Sequence, residues 1–241
     1  MSRSIPFMES EPVVDPNAVC RLPTSYEGIS YEKPKSVVET VVEYLRESII
    51  NGYLNPGEKI ITAKITKQLG VSNIPIREAM KVLASEGLVV SSTGRSMRVA
   101  PTSRTDLDET FETREMLELF AIELFGRHYQ DQASLKQKLE SLCKGVVCET
   151  DCPDSCLGFH QGLINMAGNS KMKNMYKYLF NNIRRYQHIS LSIQPKEENC
   201  LAEHGEILQG LVEGNLEKAS SALKDHIHRK KHQLMVHLEL T

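Results

Sequence analysis

Four of the cysteine and histidine side chains in the second half of the chain are candidates for one metal site. They are Cys156, His160, His204 and His226. Cys156 and His160 are four residues apart in a segment with helical periodicity, so they share one face of the predicted helix. The other two histidines belong to two later predicted helices. If the four side chains converge, their thiolate and imidazole groups form a tetrahedral or partly open zinc site.

Residues that can contact DNA are concentrated in the segment SNIPIREAMKVLASEG. Asn73, Arg77 and Lys81 recur every four residues and therefore share one face of a helix. Asn pairs with adenine and Arg with guanine in the major groove, whereas a lysine such as Lys81 typically binds phosphate. Nearby segments supply further candidates for the DNA backbone or minor groove: Lys64, Lys67 and Arg95. The alternative is a protein-binding surface in which these charges are solvated.

The DNA-contact candidates lie within a predicted winged helix-turn-helix. Apolar periodicity predicts helices over 36–51, 63–69 and 72–85. Two short strands follow, over 88–90 and 97–99, and a glycine-containing tip joins them. This order of elements presents the third helix to the DNA major groove.

N-caps and apolar stripes define the three helices. The predicted N-caps are Ser36, Thr62 and Ser72, because their side-chain oxygens can accept from the first free N–H groups of a helix. The predicted buried positions recur at helical spacing. They are Val37, Val38, Val41, Leu45, Ile49, Ile76, Met80, Val82 and Leu83.

From Pro101 onward every segment is predicted to be helical. The candidate helices are 104–129, 132–148, 154–167, 170–191, 196–213 and 215–238. Short separators indicate antiparallel neighbours, so the predicted fold is mainly α, an N-terminal winged helix-turn-helix plus a C-terminal antiparallel α-helical bundle. Five of the ten prolines fall in the first 35 residues, which are predicted to form an irregular arm. The predicted domains are therefore 1–35, 36–101 and 102–241.

Charge and composition narrow the function classes. The net charge is −2, but residues 36–100 carry eight Lys/Arg against six Asp/Glu, and residues 101–241 carry 17 against 20. A basic first part and an acidic second part suit DNA contact at one end. The chain lacks an apolar run of about 18 residues and a secretory signal, so we expect a cytoplasmic protein without membrane contact. The six cysteines are then expected to be thiols or metal ligands.

The first part of the chain resembles the head of the GntR superfamily of bacterial transcription regulators. The stretch LGVSNIPIREAMKVLASEGLV, the segment NPGEKI and the GR-containing wing carry the resemblance. It implies DNA contacts at Asn73, Ile74, Pro75, Arg77, Thr93 and Gly94. The family commonly has Arg at the position of Asn73 and Thr at that of Ile74, so its operator preference does not transfer base by base.

The second part resembles the FCD ligand-binding domain of the FadR branch of that superfamily. The matching stretches are FETREMLELFAIELF, CLGFHQGLINMAGNS and EHGEILQGLVEGNLEKASSALKDHI. The resemblance implies a core metal held by an Asp-x-x-x-His pair and two later histidines, and a small carboxylate effector. Cys156 replaces the Asp, which favours zinc, or another divalent transition metal such as nickel, over manganese or magnesium. Alternatively, Cys156 packs as a small apolar residue and the metal site is lost.

Arg114 is the candidate effector-binding residue. The resemblance places it in a TRE-x-x-E pattern whose Arg faces the ligand cavity, and its guanidinium can pair with both oxygens of a carboxylate. The alternative is a surface ion pair with Glu118, which contributes little. Arg184, Arg185 and Tyr186 are further candidates for lining the cavity.

These features predict a sequence-specific DNA-binding regulator, most simply a repressor, that binds a palindromic operator as a homodimer. A small organic acid bound in the helical domain then controls its affinity for DNA. One alternative is a redox or metal sensor that uses Cys143, Cys148 and Cys152, although these cysteines are also typical of a buried helix junction. Another is a metalloenzyme in which Glu203, beside His204, acts as a base.

Overall fold

The computed structural model describes residues 35–92, 96–128, 137, 139, 153–193 and 200–239. Within these ranges the chain forms eight helices and one two-stranded sheet. Several predicted features lie outside the described residues. They are the arm 1–34, the wing tip with Thr93, Gly94 and Arg95, nearly all of the predicted helix 132–148, and Cys143, Cys148 and Cys152.

The N-terminal part is a winged helix-turn-helix, as predicted. It consists of α1 (Val37–Ile50), α2 (Thr62–Leu69), α3 (Asn73–Ser85), β1 (Val89–Ser91) and β2 (Met97–Val99). The two strands are antiparallel, with Val90 opposite Arg98. Helices α1 and α3 pack on each other and on the strands, and their apolar faces form the core of this domain.

Capping follows the prediction at one helix and departs from it at another. Ser36 Oγ accepts from the N–H of Glu39 at 3.1 Å, and the Glu39 carboxylate accepts from the N–H of Ser36 at 2.7 Å, which makes a reciprocal capping box. The predicted N-cap at Thr62 is wrong. Ile61 is the extended residue before α2, and its carbonyl accepts from the backbone N–H of Lys64. Ser72 precedes α3 as predicted but makes no side-chain capping bond.

Two predicted core positions are wrong. Val37 is 54% exposed because it lies in the first turn of α1, ahead of the buried stripe that begins at Val41. Val82 is 39% exposed because its position on α3 is about 100° from that of Leu83, off the face that packs inward. The other predicted stripe residues of α3 are buried.

The C-terminal part is a helical domain. Its helices are α4 (Arg104–His128), α5 (Pro153–Met166), α6 (Ser170–Ile193), α7 (Cys200–Val212) and α8 (Leu216–His237). Their buried apolar residues form one core. Gly210 lets α7 approach α8 closely, because a Cβ there would lie 2.7 Å from the backbone nitrogen of Ala219. Within the described residues, no helix is both long enough and apolar enough to cross a membrane.

Helix α6 joins the helical domain to the winged domain. Arg184 pairs with Glu47 of α1 at 3.0 Å, and buried Arg185 donates to the carbonyl of Ala100 at 3.0 Å and to Asp106 at 3.2 Å. The Tyr186 hydroxyl also donates to Asp106. Arg184 and Arg185 therefore help to connect the two domains, whereas Tyr186 binds within the helical domain. That these α6 residues also line an effector cavity stays a prediction.

Candidate metal centre and DNA-binding surface

Three helices bring the four predicted metal ligands together. Cys156 and His160 come from α5, His204 from α7 and His226 from α8, and their ligand atoms all lie within 4.8 Å of one another. The three histidines are buried, and Cys156 is partly buried. The helical spacing predicted that Cys156 and His160 share a face, and the packing of α7 and α8 supplies the rest of the cluster.

The ring nitrogens of the three histidines point at a common space. His160 Nε2 lies 3.0 Å from His226 Nε2 and 3.2 Å from His204 Nε2, and Cys156 Sγ lies 3.7 Å from His204 Nε2. Two carboxylates fix the orientation of two rings. Glu118 Oε2 lies 2.7 Å from His160 Nδ1, and Glu203 Oε2 lies 2.6 Å from His226 Nδ1.

These carboxylates define the protonation of the rings and make the cluster suitable for a cation. A carboxylate accepts the Nδ1 proton, so His160 and His226 are assigned the tautomer that leaves a lone pair on each Nε2. Two lone pairs 3.0 Å apart repel each other unless a cation lies between them. Carboxylate-to-histidine hydrogen bonds of this kind are the usual second layer of a protein metal site.

The electrostatics keep the histidines in the neutral form that binds a metal. Burial is the main cause that lowers the pKa of His160, His204 and His226, and the nearby charge of Arg114 lowers each further. Burial opposes the charge of Glu203, but hydrogen bonds from His226 and Arg229 outweigh it and lower the pKa of Glu203 to about 2. Glu203 therefore accepts a hydrogen bond from His226 and fixes the orientation of that ring.

Arg114 and Glu118 form a fully buried ion pair beside the cluster. Arg114 Nε donates to Glu118 Oε1 at 2.8 Å, and both side chains are 0% exposed. The alternative of a surface pair is therefore wrong. Burial opposes the charge of Arg114, but Glu118 outweighs it and raises the pKa of the guanidinium. The Tyr176 hydroxyl donates to the same carboxylate oxygen at 2.6 Å.

The two terminal nitrogens of Arg114 distinguish this pair from a purely structural one. Nη1 and Nη2 are both buried, and neither has a hydrogen-bond partner among the described residues. Buried polar groups nearly always have partners, and an arginine presents these two nitrogens as a fork that fits a carboxylate. The geometry therefore suits an anion next to the histidine cluster.

A cysteine beside the four predicted ligands was absent from the sequence-based prediction. Cys200, the first residue of α7, places its Sγ 3.0 Å from Cys156 Sγ. A hydrogen bond between the two thiols and the nearby Lys230 lower the pKa of Cys200 to about 6, and the same bond, with burial, raises that of Cys156. The available signal was a repeated Cys-Leu-x-x-His motif, CLGFH at 156–160 and CLAEH at 200–204.

The outer face of α3 carries most of the predicted DNA contacts. Asn73, Ile74, Arg77 and Lys81 are exposed and Pro75 is half-buried. The side-chain oxygen of Asn73 accepts from the Thr66 hydroxyl at 3.2 Å, and Lys81 pairs with Glu78 at 2.8 Å. Lys64 and Lys67 are exposed on α2.

A winged helix-turn-helix followed by a helical domain with a buried polar cluster is the architecture of a DNA-binding protein with a second, separate domain. Residues 37–99 match the bacterial regulatory proteins of the gntR family, and residues 109–229 match the FCD domain. The chain belongs to the GntR family and is a DNA-binding transcription regulator with an FCD effector-binding domain. The families it matches are regulators rather than enzymes.

Two curated relatives match this chain along most of their own length. The HTH-type transcriptional regulator YdhC of Bacillus subtilis (strain 168) is 26% identical over 200 residues, which cover 81% of this chain and 89% of YdhC. The HTH-type transcriptional repressor GlaR of Escherichia coli (strain K12) is 25% identical over 76% of this chain and 89% of its own. The solved structure of a GntR transcriptional regulator from Rhodococcus sp. RHA1 is similar in fold, with 22% identity, a TM-score of 0.68 and coverage of 83% of this chain and 98% of that chain.

Proposed function

We propose that the protein is a repressor that leaves its operator when a small carboxylate binds beside a metal ion in the helical domain. The observation that carries this proposal is the buried fork of Arg114 beside three converging histidine nitrogens, with Nη1 and Nη2 lacking a partner in the part of the chain that the structure describes. The term repressor in the name of GlaR is consistent with it. A regulator that acts on bacterial DNA works in the cytoplasm, which is where we place it.

The metal ligands in this proposal are Cys156, His160, His204 and His226. A set of one thiolate and three imidazoles suits zinc, and nickel is the next choice. When bound, such an ion accepts an oxygen of the effector as a Lewis acid. A metal-bound Cys156 would be a thiolate, and it would then accept the hydrogen bond from the Cys200 thiol.

Arg114 selects a carboxylate. Its terminal nitrogens can donate two parallel hydrogen bonds to the two oxygens of one carboxylate. Glu118 neutralises the guanidinium and fixes it through Nε, which leaves the other two nitrogens for the ligand. Tyr176 and His160 also donate to Glu118. The negative charge of Glu118 therefore repels a carboxylate effector less strongly than the charge of a carboxylate without donors would.

Helix α3 is the proposed recognition helix. Asn73 and Arg77 are the proposed base contacts, and Lys64 and Lys81 the proposed phosphate contacts. Ile74, which is 74% exposed, suits an apolar contact with a thymine methyl group. Pro75 shapes the start of the helix, and Thr93, Gly94 and Arg95 in the wing are proposed to approach the neighbouring groove or backbone.

Homodimerisation completes the proposal, because a palindromic operator has the two-fold symmetry of a dimer. Helix α4 offers a candidate surface: Met116 and Phe120 are exposed and lie four residues apart on one face. We propose this pair as part of the apolar surface that the second subunit covers.

Helix α6 is the proposed route from the effector to the DNA. Its Tyr176 donates to Glu118 in the effector site, and its Asn182 donates to the carbonyl of Glu86 at the end of α3 at 3.0 Å. A ligand that moves Glu118 therefore acts on a helix that holds the recognition helix. Coupling of this kind requires two states that the ligand and the DNA bind differently.

The test uses full-length, zinc-loaded protein and an operator fragment obtained by in vitro selection. Fluorescence anisotropy measures DNA binding while a panel of mono- and dicarboxylates is titrated. We expect at least one carboxylate to release wild-type protein from DNA, and Arg114→Lys, which keeps the charge but not the fork, to lose that response while it keeps zinc and DNA binding. Equal responses of both proteins, or no response to any carboxylate, would refute the effector site.

A further inference from the structure

Two cysteines from different helices meet at the edge of the metal cluster. Cys156 lies on α5 and Cys200 at the start of α7, 44 residues apart in sequence, and their sulfur atoms are 3.0 Å apart. Both side chains are only partly buried, so a small oxidant can reach them. Cys200 is not among the four side chains whose ligand atoms lie within 4.8 Å of one another.

We propose that Cys156 and Cys200 form a peroxide-responsive dithiol whose oxidation to a disulfide removes Cys156 from the metal site. This inference extends the proposed function: the carboxylate would be one signal and a hydroperoxide a second, acting on the same centre. The disulfide itself requires only the two sulfur atoms, whereas its effect on the metal rests on the proposed function.

The chemistry balances with a hydroperoxide as the oxidant. One cysteine, as thiolate, attacks the terminal peroxide oxygen, the O–O bond breaks, and the cysteine becomes a sulfenic acid while the other oxygen leaves as an alcohol or water after protonation. The second thiol then attacks the sulfenic sulfur, the S–O bond breaks, and a disulfide and water form. Overall, two thiols lose two electrons and two protons, and the hydroperoxide gains both.

Cys200 occupies the same position relative to His204 as Cys156 does to His160. Both cysteines precede a cluster histidine by four residues, Cys156 before His160 and Cys200 before His204, so each pair occupies one face of its helix. The two faces are turned toward each other, which brings the sulfur atoms together beside the imidazoles.

Oxidation would change the donor set of the metal. A disulfide sulfur carries no negative charge and is a much weaker ligand than a thiolate, so the site would retain only three imidazoles. The affinity for zinc would fall, and with it the binding of a carboxylate that shares the metal. A thiol reductant would restore both cysteines by exchange.

The test uses the full-length chain with the other four cysteines replaced by serine, Cys20→Ser, Cys143→Ser, Cys148→Ser and Cys152→Ser, so that Cys156 and Cys200 are the only thiols. Zinc-loaded protein is treated with hydrogen peroxide, blocked with N-ethylmaleimide and digested for mass spectrometry. We expect a peptide pair joined through Cys156 and Cys200, loss of both reactive thiols, and release of zinc to a coloured chelator. Dithiothreitol should reverse all three changes, and the wild-type chain should yield the same linked peptides.

Cys200→Ser in the same background is the matched variant. We expect it to bind zinc in the reduced state, because Cys200 is not a ligand, and to release zinc at least tenfold more slowly under peroxide. Release as fast as that of the parent would overturn the proposal. So would a parent protein in which the two cysteines stay reduced or are oxidised separately to sulfinic acids.

The reduced protein separates this inference from the proposed function. Its zinc content and carboxylate binding are measured before peroxide is added. A reduced protein without zinc that still forms the linked peptides would refute the metal-dependent function and support the dithiol. A zinc-loaded, carboxylate-responsive protein that never forms the linkage would support the proposed function and overturn the dithiol.

Discussion

Arg114 and Glu118 form an ion pair from which solvent is excluded on both sides, with Nε and Oε1 2.8 Å apart. The two partners differ in how they are satisfied. Glu118 accepts from Arg114, Tyr176 and His160, whereas Arg114 keeps two buried nitrogens without a partner among the described residues. A buried pair adds little net stability over an apolar pair of the same shape, so a gain in stability does not by itself account for these two residue types.

The first prediction concerns Glu118. Glu118→Gln should lower zinc affinity by roughly 10–100-fold, because the amide holds the His160 ring less firmly and no longer raises its basicity. It should also lower the free energy of unfolding by about 3–5 kcal/mol, since the charge of Arg114 is left without its partner. Competition with a zinc indicator and urea denaturation measure the two effects.

Glu112→Gln, at a largely exposed position of the same helix, is the control and should change neither the zinc affinity nor the free energy of unfolding. An unchanged zinc affinity in Glu118→Gln would contradict the role given to Glu118.

The second prediction concerns metal removal. Chelation should destabilise the protein by about 4 kcal/mol relative to protein in free zinc at roughly 1000 times its Kd. The expected reason is that the chelated protein loses the cation that separates the facing Nε2 atoms of His160 and His226. Thermal denaturation with and without chelator measures the change.

Two histidines of α8 provide a matched pair for this experiment. His226→Ala should abolish the difference between the zinc-loaded and the chelated protein. His228→Ala should preserve it, because His228 is exposed and pairs with Glu115 at 2.7 Å. A chelator effect that survives in His226→Ala would show that the stabilising metal binds elsewhere.

The third prediction concerns the recognition helix. Arg77→Ala should weaken operator binding by about 1–3 kcal/mol and relax the preference for one base pair, while some salt-dependent binding to unrelated DNA remains. Lys81→Ala should instead weaken binding to all sequences alike and reduce the salt dependence by about one ion. Anisotropy titrations over a range of salt concentrations distinguish the two. Wild-type affinity and selectivity in Arg77→Ala would exclude α3 as the element that reads the bases.

The fourth prediction concerns the contact between the domains. Glu86, at the end of α3, pairs with Arg46 of α1, and its carbonyl accepts from Asn182 of α6. Asn182→Ala should leave DNA binding without effector nearly unchanged, because the contacts of α3 with DNA are intact. The ratio of DNA affinities with and without the carboxylate should fall toward one. Coupling free energies are typically about 1–3 kcal/mol, and the variant lacks one hydrogen bond that connects α6 to α3.

Lys177→Ala is the control for this coupling experiment, because Lys177 is an exposed residue of the same helix. It should respond to the carboxylate as the wild type does. A full response in Asn182→Ala would mean that the signal reaches α3 by contacts other than this hydrogen bond.

Much of the fold could be predicted because local signals agree with one another. The helix predicted over 215–238 is observed as Leu216–His237, since Asn215 caps it and accepts from the N–H of Lys218 at 2.9 Å. The Ser36 capping box likewise fixes the start of α1. Exposure at helix ends was harder to predict, as Val37 shows. Periodicity assigns a residue to one face of a helix, but it does not say whether the packing neighbours of that face reach the last turn.

The site was only partly predictable because its chemistry depends on which helices meet. An Arg and a Glu four residues apart look the same in sequence whether the pair lies on a surface or in a core. The hydrogen bonds of Tyr176 and His160 to Glu118 come from two other helices, and the sequence does not show that these helices meet there. The pairing of Cys156 with Cys200 had a repeated motif as its signal. The motif alone did not reveal that α5 and α7 bring the two thiols together.

The three hydrogen bonds to Glu118 also constrain how the helices can be aligned. One donor comes from α4 itself, one from α5 and one from α6. A bundle packed by leucines alone tolerates sliding of its helices. Here a shift of one helix by a turn, about 5.4 Å, would leave a buried charge without its partner. The carboxylate that orients His160 thereby selects a single register for three helices, and the candidate site and the fold depend on the same residue.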